Sequence, residues 1–98
     1  MNYLVHVSVH PPQGMARDDW QGLMQAESDY GIEMRRQGHL IEIWRIPGTY
    51  QGYSLWDVAG HDEMHSLLAA APLFAHVDFT VTPLAMHPST QRWNELIA

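Results

Sequence analysis

Residues 3 to 9 alternate without a break, and that alternation limits the fold more than any other feature of the chain. Tyr3, Val5, Val7 and Val9 fall on one side and Leu4, His6 and Ser8 on the other. A period of two means a strand with one strongly apolar face, which must be covered by something. The stretch HPPQGM ends it, because two prolines and a glycine cannot continue a central strand. The period then changes. Trp20, Leu23, Met24, Tyr30 and Met34 recur at helical spacing, which predicts a helix from Asp18 or Asp19 to about Gln37, stopped by Gly38. Either aspartate suits the start of that helix, as a cap or as a negative charge on its dipole.

The same reading continues to the C-terminus. HLIEIWRI (39–46) is a second strand, with Ile41, Ile43 and Arg45 on one face and Leu40, Glu42, Trp44 and Ile46 on the other. PGTYQG is turn chemistry, and YSLWDV (53–58) completes a hairpin. A second helix over 61–70 buries Met64, Leu67, Leu68 and Ala71, and Pro72 closes it. HVDFTVTP (76–83) is the fourth strand, and the tail over 85–98 has no clear period before a short helical end. The order β-α-β-β-α-β defines one α+β domain over residues 1–98. It is ferredoxin-like, an antiparallel four-stranded sheet with both helices on one face. Trp44 or Tyr53 is left on the far face, which is expected to meet another subunit.

Composition removes several functions. The 98 residues carry a formal net charge of −6 with only five Lys and Arg, so neither nucleic acid nor an anionic membrane is an expected partner. No apolar run is long enough to span a bilayer, and the alternating N-terminus lacks the basic start of a signal peptide. The chain has no cysteine, which excludes disulfides, thiolate metal sites and a Cys nucleophile and fits a cytoplasmic protein. No phosphate loop, nucleophile elbow or dinucleotide fingerprint occurs, so any catalysis is expected to run on side chains alone, without a cofactor. Four Trp, four Tyr and six Met are many large side chains for one small core, and imply an oligomer or a lined cavity.

One residue conflicts with its surroundings. Glu27 lies three or four positions from Leu23, Met24 and Tyr30 and so shares their apolar face. A carboxyl group there is desolvated, which raises its pKa and suits a general base that moves a proton next to a carbonyl. The plainer reading is an ion pair with Arg45 or an escape to solvent at the helix edge. Arg45, on a strand face with Ile41 and Ile43, needs an anion, either Glu27 or a substrate carboxylate. His61 and His65 have the i, i+4 spacing of a metal pair, but no acidic motif surrounds them, so a solvated helix shoulder is the expectation and no metal is expected. His6 and His10 lie too far apart along their strand to share an ion.

Four stretches together resemble the muconolactone isomerase family: WRIPGTYQGYSLWDV (44–58), MHSLLAAAPLF (64–74), VDFTVTPLA (77–85) and HPS (87–89). Each is weak alone, but their order and spacing match from Met15 to Ser89 without a gap. The resemblance implies sheet-to-sheet dimers of the α/β-barrel type, assembled into a decamer, with the tail over 85–98 on a neighbouring subunit. It also implies cofactor-independent isomerisation of an unsaturated lactone acid in aromatic catabolism, of the muconolactone to 3-oxoadipate enol-lactone type. Glu27 occupies the place of a family glutamate, and Arg45, Tyr53, Ser54, His65 and His87 fall on family-like positions. Arg45 would bind the carboxylate or orient Glu27, Tyr53 would wall the pocket, and His87 would close it from the tail.

The chain also departs from that family. Met24 stands where a lysine is usual, Leu40 where a tryptophan is, Gly52 where an asparagine is and His76 where a tyrosine is. These changes fit either a related lactone as substrate or a loss of the isomerase reaction. Two further functions stay open for the fold: another cofactor-free enzyme, a monooxygenase or lyase, and a non-catalytic oligomeric binder of small molecules.

Overall fold

The computed structural model describes residues 1–98, and its architecture is the ferredoxin-like one. Strand β1 spans Asn2–Val9, helix α1 Arg17–Arg36, strand β2 Leu40–Arg45 and strand β3 Gln51–Asp57. Helix α2 covers His61–Ala69, a short 3-10 turn Phe74–His76, strand β4 Val77–Leu84 and helix α3 Pro88–Ile97. The sheet is antiparallel throughout, in the order β2-β3-β1-β4. No helix is long and apolar enough to cross a membrane.

The alternation of β1 decides which face is covered. Tyr3 and Val5 are fully buried beneath the helices and join Met34, Leu40, Trp56, Val58, Met64 and Leu68 in the core. Opposite them in register stand Trp56 and Ser54 on β3, and Val81 and Phe79 stand against Val5 and Val7 on β4. Asp18 and Asp19 sit in the first turn of α1 and make no cap bond, so their contribution is to the dipole. At the other end Gly38 takes φ +80°, the left-handed conformation that lets His39 N–H reach back to Met34 O.

Two expectations need correction. The face assignment of β2 fails at its start, because the pairing with β3 slips between Leu40 and Glu42. Ile41 is the extra residue of a bulge, which puts Leu40 on the helix side with Ile43 and Arg45. The hairpin is also tighter than expected, since β3 begins at Gln51. Trp44 and Tyr53 both lie on the far face, paired with one another.

The C-terminal helix stands apart. Every residue from Thr80 to Ala98 is exposed, including Trp93, Leu96 and Ile97, which share one face of α3. The radius of gyration is 15.8 Å, against about 13 Å for a compact domain of this length. The molecule measures 56 × 27 × 20 Å, an elongation consistent with α3 projecting from the body.

Candidate active site

Between α1, the end of α2 and the covered face of the sheet lies a cavity of about 620 Å³. Its walls are mainly apolar: Val7, Val9, Val77 and Phe79 come from the sheet, Leu67, Leu68, Ala71 and Leu73 from α2 and its exit, and Trp20 and Met24 from α1. Set into them are Glu27 and Tyr30 from α1, Arg45 from β2, Tyr50 from the hairpin turn and Ser54 from β3. The helical phase of Glu27 therefore does aim it at the cavity.

Glu27 is half-buried, and its Oε2 accepts the backbone N–H of Leu73 at 3.1 Å. Burial raises its pKa above the usual carboxylate value, and the Leu73 bond lowers it by less. No cation lies within ion-pair distance of it. The expected alternative, a pair with Arg45, is absent: Arg45 is exposed at the cavity wall and makes no ion pair at all. The other guanidinium at the wall, Arg35, is occupied by Glu42 at 2.8 Å. Arg45 is thus the cavity's positive charge without an ion partner, and Glu27 its carboxyl without one.

Ser54 is buried at the cavity floor, where its Oγ accepts Trp56 Nε1–H at 2.9 Å and donates to Val5 O at 3.5 Å. Tyr30 donates its phenol O–H to Leu67 O at 2.5 Å. Its own pKa is raised by burial and by the neighbouring Glu27 charge, so it stays protonated. In the sequence Tyr30 reads only as a residue of the apolar stripe. Its position one turn beyond Glu27 was the signal that could have identified it.

Three expected site residues lie elsewhere within the protomer. Tyr53 points from the far face of the sheet, edge-on to His6 with ring centroids 5.0 Å apart. It lines a separate shallow depression with Leu4, His6, Thr80 and Thr82. Neighbours on a strand point to opposite faces, so Tyr53 and Ser54 cannot both reach one cavity. His65 is exposed on α2, off the buried Met64 and Leu68 face. His87 caps α3, its Nδ1 accepting Ser89 N–H at 3.0 Å, and no side chain of that helix is buried. His61 does not pair with His65 either, since its Nδ1 shares a 2.6 Å hydrogen bond with the Tyr3 hydroxyl.

An apolar cavity with one half-buried carboxyl and one guanidinium without an ion partner, in a ferredoxin-like domain, is the form of a small-molecule site. Comparison with known proteins narrows that class. The family profile for muconolactone delta-isomerase matches residues 1–90. The muconolactone delta-isomerase of Cupriavidus pinatubonensis is 38% identical over 92 residues, which is 94% of this chain and 100% of that one. The enzyme of that name from Acinetobacter baylyi is 36% identical over 94% of this chain and 96% of its own. A crystal structure of muconolactone isomerase superposes with a TM-score of 0.85 at 32% identity, covering 91% of this chain and 93% of that one. A 5-chloro-2-hydroxyhydroquinone dehydrochlorinase from Burkholderia phenoliruptrix shares the fold alone, at a TM-score of 0.65 and 11% identity over 91% of this chain and 98% of its own. The chain belongs to the muconolactone delta-isomerase family.

Proposed function

We propose that the protein is a cofactor-independent isomerase that moves one proton and one carbon–carbon double bond in an unsaturated lactone acid, with Glu27 as its base. The observation that carries this reading is Glu27 itself, an unpaired carboxyl in an apolar cavity, its pKa raised by burial. Family membership supplies the reaction class, a C=C-transposing isomerisation of the muconolactone to 3-oxoadipate enol-lactone type. In that reaction the Glu27 carboxylate takes a proton from a ring carbon, and the electron pair of the broken C–H bond spreads into the lactone as a dienolate. The same carboxyl returns the proton at the ring carbon next to the lactone carbonyl. One C–H bond breaks, another forms, the double bond shifts, and there is no net oxidation. A base with a raised pKa suits both halves, since it must accept the proton and then release it.

Arg45 holds the substrate carboxylate. A guanidinium can grip it in a bidentate fork, which fixes the ring against the apolar wall with its acidic carbon near Glu27. The exposed far face of the sheet, with Trp44 and Tyr53, and the bare apolar side of α3 support a homo-oligomer. Sheet-paired dimers are its building block and a decamer its full form. The tail over 85–98, with His87, packs on a neighbouring subunit. In that assembly Tyr53 lies at the sheet-to-sheet contact, and the exposed His65 and His87 are available to a neighbour's site.

The experiment is an ultraviolet assay of the purified protein on muconolactone and its methyl-substituted analogues. Turnover of muconolactone supports the reading in full. Turnover of a substituted lactone alone assigns the same reaction to a related substrate. Inactivity on all of them refutes it.

A further inference from the structure

The end of α2 leaves two backbone groups without helical partners, and both are met from α1. Leu67 O would ordinarily accept the N–H of residue 71, but Ala71 N–H turns to Leu68 O instead. The Tyr30 hydroxyl fills that vacancy. Six residues on, just past Pro72, Leu73 N–H donates to Glu27 Oε2. Glu27 and Tyr30 stand one turn apart on one face of α1, so the two bonds form a two-point clamp across the cavity wall.

We propose that Tyr30 is a positioning residue: its bond to Leu67 O holds the exit of α2 where Leu73 N–H can engage Glu27 Oε2, leaving Oε1 as the atom that carries the proton. This rests on the reading of Glu27 as the base. A carboxylate with one oxygen anchored has a fixed orientation, and its free oxygen has the full lone-pair capacity needed to take a proton from carbon. The N–H bond also tempers the rise in pKa caused by burial. Few other charges bear on it. Tyr30 and Arg35 face the cavity from α1, Arg45 from β2 and Tyr50 from the turn, whereas α2 and its exit, β1 and β4 contribute apolar side chains.

Tyr30→Phe keeps the ring and removes the clamp. Glu27 in wild type and in this variant is titrated by carboxyl carbon NMR, with the Leu73 amide proton followed in the same samples and kcat and KM on muconolactone measured alongside. In wild type the Leu73 amide shift should titrate together with Glu27. In Tyr30→Phe that link should weaken and Glu27 should titrate higher than in wild type, because the bond that lowers its pKa is loosened. The variant's kcat should fall about tenfold, with KM changed less than about twofold. A variant that loses only thermal stability, with the Glu27 titration and kcat unchanged, would show the phenol to be merely structural and overturn the proposal. If Tyr30→Phe does not fold, the wild type decides: a Leu73 amide that titrates with Glu27 supports the clamp, and one that does not removes it. Full activity in Glu27→Gln would sink the base assignment separately, while the NMR result would still stand for the clamp.

Discussion

Leu73 offers its backbone N–H to Glu27 Oε2 at 3.1 Å, across 46 positions of sequence. The donor is available because Leu73 follows Pro72 at the exit of α2, where no helical carbonyl claims it. The acceptor is there because Glu27 falls on the buried side of α1 in place of an apolar residue. A turn residue and a helix residue thus set the orientation of the Glu27 carboxyl jointly, and burial among the apolar walls raises its pKa.

The raised pKa of Glu27 has a consequence for stability. A carboxyl whose folded pKa lies above its unfolded value favours the folded state when protonated. That contribution is complete below the unfolded value of about 4.5 and is lost as pH rises through the folded pKa. Glu42 has the opposite sign, because its hydrogen bond from Arg35 lowers its pKa and its contribution is lost as pH falls. Subtracting Glu27→Gln from wild type isolates the first effect. Denaturant unfolding across pH should show wild type losing stability relative to the variant as pH rises above 4.5, leaving Glu27→Gln the more stable protein at neutral pH. A constant difference between them would mean that the carboxyl is not desolvated.

Arg45→Ala should raise KM for muconolactone about 10- to 100-fold and leave kcat within a few-fold, the loss expected of the charge-assisted grip proposed for it, with Glu27 untouched. Arg45→Lys should recover only part of the loss, since an ammonium lacks the planar fork. Initial-rate kinetics distinguish this from a fall in kcat at constant KM, which would place Arg45 at the reacting atoms instead.

Ser54→Ala strands the buried Trp56 indole N–H, whose partner is Ser54 Oγ at 2.9 Å. The expected cost is about 1 to 3 kcal/mol, read as a lower denaturant midpoint with unchanged m-value. An unaltered midpoint would mean that Trp56 finds another acceptor.

Gly52 is required by space and not by its dihedral angles. A Cβ at this position would fall inside the contact radius of the Trp44 carbonyl oxygen on the paired strand. Gly52→Ala should therefore destabilise the hairpin by about 1 to 3 kcal/mol or more, with faster amide exchange in β2 and β3. Unchanged exchange would show that the strands can separate slightly at no cost.

Much of this was legible in the sequence because it depends on period. The alternation in residues 3–9 placed Tyr3 and Val5 in the core, and the phase of α1 placed Glu27 at the cavity. What stayed hidden depends on pairing between distant segments. The bulge at Ile41 moves Leu40 to the helix side, and only the register with Trp56 reveals it. Family-like spacing groups Tyr53 with Ser54, and the sheet sends their side chains to opposite faces of the protomer. The roles of Leu67 and Leu73 lie in their backbone atoms, on which side-chain type carries no information.

The most direct test of Glu27 as the base is kcat for Glu27→Gln on muconolactone, beside wild type. Glutamine keeps the size of the side chain and removes the carboxylate, so a loss of about 10² or more is expected in a variant that remains folded. Turnover at the wild-type rate would contradict it, and the proton would have to travel through another group.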